Sequence, residues 1–301
     1  MYKFVTLAIA AGAVLGSCSW SVPALAQSAE EEVAKQTARQ ISDAISKRVG
    51  EDVGVIYAAP GAQGMATGSG EFLNSAWGTL TYNRVDFDGG TFGGSDGINI
   101  FLGTVGYDHR FDNFIPGISV TGAHAKVDDV TGSSDGATVS PYLGYIVNDW
   151  FFLNALVGLS LSNSDIGGAN SDSTGVFTEE DANVVWHDGD WLATGKVGHR
   201  FQHSRDHEDG FGSTDSDVNT LLAGGKVGYT IDTVLPYLGA QYEYNFNVDQ
   251  EDDDFLYLLI GFDMTVGPQF SMDLSGQAEV IDRDTTAYSI TWQGDIAKLL
   301  I

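Results

Sequence analysis

The chain has 301 residues, a formal net charge of -27, and 38 glycines against 6 prolines. Such acidity repels nucleic acid and excludes it as a partner; glycine without a triplet period excludes collagen, and a hydrophobic fraction of 43% excludes a disordered chain. The single cysteine is Cys18, so no disulfide or zinc site is expected beyond it, and no later stretch reaches the ~18 apolar residues of a membrane helix.

Residues 1–26 read as a secretory signal peptide. Lys3 supplies the charge, Phe4 to Leu15 the apolar run, and Ala24–Leu25–Ala26 a small-x-small cleavage site before Gln27. Leu15 to Cys18 makes a poorer lipoprotein box than this makes a cleavage site. Within 27–50, Ser28 to Val49 has a helical pattern: Glu30 to Glu32 suit the first turn, Lys47 and Arg48 the last, and Gly50 the stop. Val33, Thr37, Ile41, Ala44, Ile45 and Val49 form a thin apolar stripe over a polar face. Such a helix suits a polar barrel lumen or an ordinary aqueous surface equally. Residues 51–73, rich in Gly, Ala and Ser, read as a linker.

From Asn74 onward the period is two, which means strands. Two classes of connection alternate. Phe111–Phe114, Asn148–Asp149, Asp232–Thr233 and Gly267–Pro268 are short; Asp86–Gly97, Asp128–Gly136, Ser162–Gly175, His203–Asp217, Asn247–Asp253 and Asp282–Asp284 are long or acidic. Keeping the alternation requires a strand at 174–186, closed by a turn at His187–Asp190, although Glu179–Glu180–Asp181 is poor strand material. The spacing thus predicts twelve strands, at about 74–85, 98–110, 115–127, 137–147, 150–161, 174–186, 190–202, 218–231, 234–246, 254–266, 269–281 and 285–297.

The strand number is even, and a minimum of ten residues per strand exceeds the five or six of soluble sandwiches. The fold class expected over 74–301 is therefore all-β: an antiparallel transmembrane barrel of a Gram-negative outer membrane, preceded by a short helix, with both barrel ends periplasmic. Polarity assigns the faces. Ala155, Val157, Leu159 and Leu161 point to lipid against Asn154, Gly158 and Ser160; Leu256, Leu258, Ile260, Phe262 and Met264 do so against Asp263. The first and third strands do not sort by face.

Residues from about 70 to the end resemble the β-barrel translocator domain of autotransporters, the type V secretion family. Trp77 to Tyr82, Gly103 to Arg110 ahead of Phe111–Asp112–Asn113, Ser140–Pro141–Tyr142–Leu143, Val197 to Phe201, Leu235 to Gly239 and Tyr242 to Phe246 carry the resemblance. It implies that Gln40 to Val49 is the helix such domains thread through their pore, and that barrel-insertion machinery is a partner. The family usually carries a large passenger before that helix. Here only a short polar tail follows Ala26, and the last six residues, Ile296 to Ile301, lack the usual terminal aromatic.

Arg110, Lys196, Arg200 and Lys226 share the interior parity with Asp108, Glu243, Asp263, Asp273 and Glu279, and form a candidate lumen charge network because buried charges require partners. His199 to His207 is the one cluster with catalytic residue types, but His199 and His203 fall on the lipid-facing parity. No enzymatic activity, cofactor or resident metal is expected. The acidic loops, Asp128–Asp129 and Asp249 to Asp254, offer hard oxygen ligands for weak calcium or magnesium association without EF-hand spacing. Two functions remain: a translocator-like or narrow pore plugged by its helix, and a non-conducting surface barrel whose acidic loops serve partner binding, adhesion or envelope structure.

Overall fold

The computed structural model describes residues 21–52, 74–87, 96–128, 132–166, 169–208, 212–246, 254–267, 270–279 and 285–299. Most of the expected leader and linker, and the acidic segments 88–95, 247–253 and 280–284, lie outside the described residues. Among the described residues one helix, α1 (Ser21–Asp52), precedes twelve strands. They are β1 (Asn74–Phe87), β2 (Asp96–His109), β3 (Phe114–Val127), β4 (Gly132–Asn148), β5 (Phe151–Ile166), β6 (Ala169–Asp188), β7 (Trp191–Glu208), β8 (Gly212–Tyr229), β9 (Val234–Asn245), β10 (Asp254–Gly267), β11 (Phe270–Glu279) and β12 (Thr285–Leu299). Each pairs antiparallel with the next, and β12 pairs with β1 through Thr79 opposite Gln293 and Thr81 opposite Thr291. Closure leaves no unpaired sheet edge, which is what lipid demands of a spanning backbone.

The short connections gather at one end of the barrel. Two are tight because an aspartate accepts a left-handed backbone: Asp112 (φ 52°) between Phe111 and Phe114, and Asp232 (φ 57°) between Ile231 and Val234. At the other end the structure corrects the sequence reading. The loops expected at Asp128–Gly136, Ser162–Gly175 and His203–Asp217 are largely strand, leaving only 128–131, 167–168 and 209–211 between elements. Cross-strand pairs hold these polar extensions together. Asn163 Nδ2 donates to Asp172 (2.7 Å), Arg205 grips Asp215 through two nitrogens (2.6 and 3.1 Å), and His203 Nδ1 lies 2.6 Å from Asp217. For the same reason β6, with Glu179 to Asp181 at its middle, spans 20 residues.

The outer wall carries a band of exposed aliphatic side chains, among them Leu80, Val105, Leu159, Leu161, Leu238, Leu258 and Ile260. Trp150, Trp186, Trp191, Tyr107 and Tyr229 border it at the short-turn end. An apolar belt of this extent with an aromatic rim is a lipid-facing surface. β1 and β3 resist sorting because they are apolar on both faces: Trp77, Val85, Ile115 and Val127 point inward, whereas Leu80, Ile118 and Val120 point outward.

Those inward apolar groups meet α1, which lies inside the barrel. Its predicted stripe is buried, with Ile41, Ile45 and Val49 at 0% exposure. The stripe packs against Trp77, Ile115, Tyr142, Phe152, Leu156 and Phe177. Burying each isoleucine contributes about 1.5–3 kcal/mol relative to leaving it exposed. Val33 packs at the opposite end, on Val85, Ile98, Ile100 and Val127. The helix therefore descends from the long-loop end towards the short-turn end. There Val49 abuts Gly144 so closely that a Cβ on the glycine would sit 2.6 Å from Val49 Cγ2. α1 also starts before Ser28 and passes Gly50, contrary to the capping signals. A glycine costs a helix only about 1 kcal/mol, which packing of Val49 offsets.

Candidate functional site: the lumen and its helix

The helix is amphipathic in a second sense. Its apolar stripe faces the inner wall, while Lys35, Arg39, Asp43, Lys47 and Arg48 reach charges on the strands. Arg48 at the short-turn end grips Asp108 of β2 through Nε (3.1 Å) and Nη2 (2.9 Å). Asp108 is 1% exposed and also accepts from Tyr142 (2.9 Å), whose hydroxyl accepts from Trp77 Nε1 (2.9 Å). Lys47 Nζ lies 3.4 Å from Asp263 of β10. Higher up, Arg39 Nη2 pairs with Glu243 of β9 at 2.5 Å. Lys35 donates to the Tyr257 hydroxyl (3.4 Å) and lies 4.8 Å from the Phe255 ring.

On β6 and β7 the helix meets a mixed cluster. Lys196 reaches Asp43 (3.1 Å) and Glu179 (3.6 Å), and Arg200 Nε donates to Glu179 at 2.6 Å. Ser42 Oγ sits 2.5 Å from Glu179 and 3.0 Å from Asp181, and Asn154 Nδ2 donates to Asp181 (3.0 Å). Glu179 and Arg200 are register partners on adjacent strands, so their pairing follows from the ladder itself. Lys226 lies 4.6 Å from the Tyr237 ring, and the Tyr237 hydroxyl donates to Asp273.

The structure thus brings Asp108, Lys196, Arg200, Lys226, Glu243, Asp263 and Asp273 into the lumen as parity predicts. Arg110 is different: it follows the end of β2, and its Nε donates to the Asp112 carbonyl in the turn (3.0 Å). The Glu279 side chain lies outside the described residues. Sequence reading missed Glu179, Asp181 and the helix residues Ser42 and Asp43. The signal was available, since Glu179 and Asp181 share the inward parity of Phe177 and Val185 and oppose cationic β7. His199 and His203 face outward, beside Glu180 and Asp217. Asp128, one of the carboxylates expected to attract cations, accepts from Arg84 (2.8 Å) and Asn99 (2.9 Å).

The helix offsets much of the wall's charge. Among buried and half-buried inward side chains, Asp108, Glu179, Asp181, Asp206, Glu243, Asp263 and Asp273 outnumber Lys196, Arg200 and Lys226 seven to three. The helix answers with Lys35, Arg39, Lys47 and Arg48 against Asp43. Buried charge in a confined lumen is tolerated only when paired in this way.

A twelve-stranded lipid-facing barrel enclosing a helix defines a class of outer-membrane β-barrel domain. Residues 76–265 match the autotransporter beta-domain family, and the chain belongs to it. Barrels of this family reside in the outer membrane of Gram-negative bacteria. The translocator domain of autotransporter NalP from Neisseria meningitidis is similar in fold, with a TM-score of 0.62 at 13% identity over 92% of this chain and 99% of that one. The beta domain of the Bordetella autotransporter Brka gives a TM-score of 0.57 at 13% identity, covering 74% and 98%. The COG4313 outer membrane channel from Pseudomonas putida F1 gives 0.51 at 12% identity, covering 77% and 100%. Comparison with curated protein sequences finds no match.

Proposed function

We propose that this translocator-like barrel is a narrow outer-membrane pore held closed by its own helix. The observation that carries the reading is the set of three ion pairs that tie the helix to the wall: Arg39–Glu243 in the middle of the lumen, and Lys47–Asp263 and Arg48–Asp108 together nearer the short-turn end. The short turns face the periplasm in this reading, both barrel ends are periplasmic, and the N-terminal end of α1 points to the cell surface. Insertion machinery delivers the barrel, and its role is passage, with no chemical step.

The intact protein in a planar bilayer conducts little, whereas a version lacking residues 27–50, checked for barrel folding, opens. Removing the helix uncovers an acid-rich wall, so the open pore prefers cations, and raising the salt weakens that preference. Reversal potentials in a salt gradient measure it. A closed trace from both proteins refutes the pore. It favours instead a surface barrel acting in partner binding, adhesion or envelope structure, a reading supported by the polar strand extensions of β4 to β8. Large steady currents from the intact protein refute the plug.

A further inference from the structure

Two cavities flank the middle of α1 inside the barrel, and a single layer of charged side chains lies between them. The cavity nearer the short turns, 310 Å³, is bordered by Arg39, Lys196 and Gln241. The cavity nearer the long loops, 290 Å³, is bordered by Lys35, Arg200 and Glu243. Arg39 therefore faces one cavity, while its partner Glu243 faces the other from 2.5 Å away. A second bridge repeats the pattern: Lys196 from below and Arg200 from above both reach Glu179, at 3.6 and 2.6 Å. Glu179 is fully buried, and Ser42 of the helix closes on it. Gln241 Nε2 donates to Glu243 (2.7 Å), and the Arg39 guanidinium lies 4.9 Å from the Tyr257 ring. The layer runs from the helix to the wall across β6 to β9. On the opposite side Ile41, Ile45 and Val49 sit directly on the strands, so a path past the helix follows the charged side.

We infer that the Arg39–Glu243 pair is the gate of this path, the contact whose separation joins the two cavities into one aqueous passage with the helix still in place. The inference rests on the plugged-pore reading and names which contact within the plug carries closure. A permeating ion must separate charges that hold each other in a partly desolvated layer; deleting both side chains removes that barrier together with the volume that fills the gap.

The test uses the full chain in planar bilayers. Arg39→Ala combined with Glu243→Ala removes both charges of the pair together, and α1 stays tied by Arg48–Asp108 and Lys47–Asp263. This variant gives stepwise currents that the intact protein lacks, smaller than those of the helix-deleted barrel. The exchange Arg39→Glu with Glu243→Arg restores the pair in reverse and returns the trace to silence. Should the alanine pair fail to fold, a serine pair, which can hold water between the cavities, takes its place with the same expectation. A folded double variant as silent as the intact protein overturns the gate, as does an exchange variant that conducts like the alanine pair. If helix deletion opens the barrel while the folded double variant stays silent, the gate alone falls. If helix deletion is silent as well, the plugged pore falls with it.

Discussion

Ile260→Arg tests the lipid face where its energetics are steepest. The outward residues of β10 are Leu256, Leu258, Ile260, Phe262 and Met264, and Ile260, 64% exposed, is the central one. A tilted strand advances about 2.5 Å per residue along the membrane normal, so Leu256 and Met264 lie about 20 Å apart, with Ile260 about 10 Å from each. Arginine costs about 2–4 kcal/mol at the midplane of such a barrel and about 0–1 near the interfaces. Ile260→Arg should therefore lower the folding constant by about 30- to 700-fold. Met264→Arg and Leu256→Arg should cost much less. Ser275→Arg points into the 310 Å³ cavity and should leave stability near that of the parent. Urea titration of reversible folding into lipid vesicles reads all four. Equal costs at positions 260, 264 and 275 would refute the facing and depth assignments together.

Arg48→Ala leaves Asp108, 1% exposed, without its bidentate partner, and should cost about 3–5 kcal/mol in the same assay. Restoring most of that loss by adding Asp108→Asn identifies the stranded charge as the cause; no rescue argues for lost packing instead. For orientation, Ser213→Cys at the tip of β8 should react with an impermeant thiol reagent on intact cells. Asp232→Cys in a short turn should react only after the outer membrane is opened, and reversed labelling inverts the barrel.

The strand count, the tight turns at one end and the lipid face of β5 and β10 were legible in the sequence because they are local. Period two and turn-forming residues act over a few positions, and polarity then sorts the two faces. The apolar stripe of α1 was legible for the same reason, at period 3.6. What faces that stripe was not, since a thin stripe is satisfied equally well at an aqueous surface or against an inner wall. The tertiary structure decided it through Trp77, Phe152 and Phe177, inward apolar groups of which Trp77 also blurred the pattern of β1. Parity told which charges point inward but not at what height, so Arg48 with Asp108, 60 residues away, and Lys47 with Asp263, 216 away, could not be paired beforehand. Those heights follow from the stagger of the strands around a closed barrel, which no single strand encodes. The polar extensions of β4 to β8 belong to the tertiary structure too: serine and aspartate favour turns in isolation, and only a neighbouring strand with matching partners holds them extended.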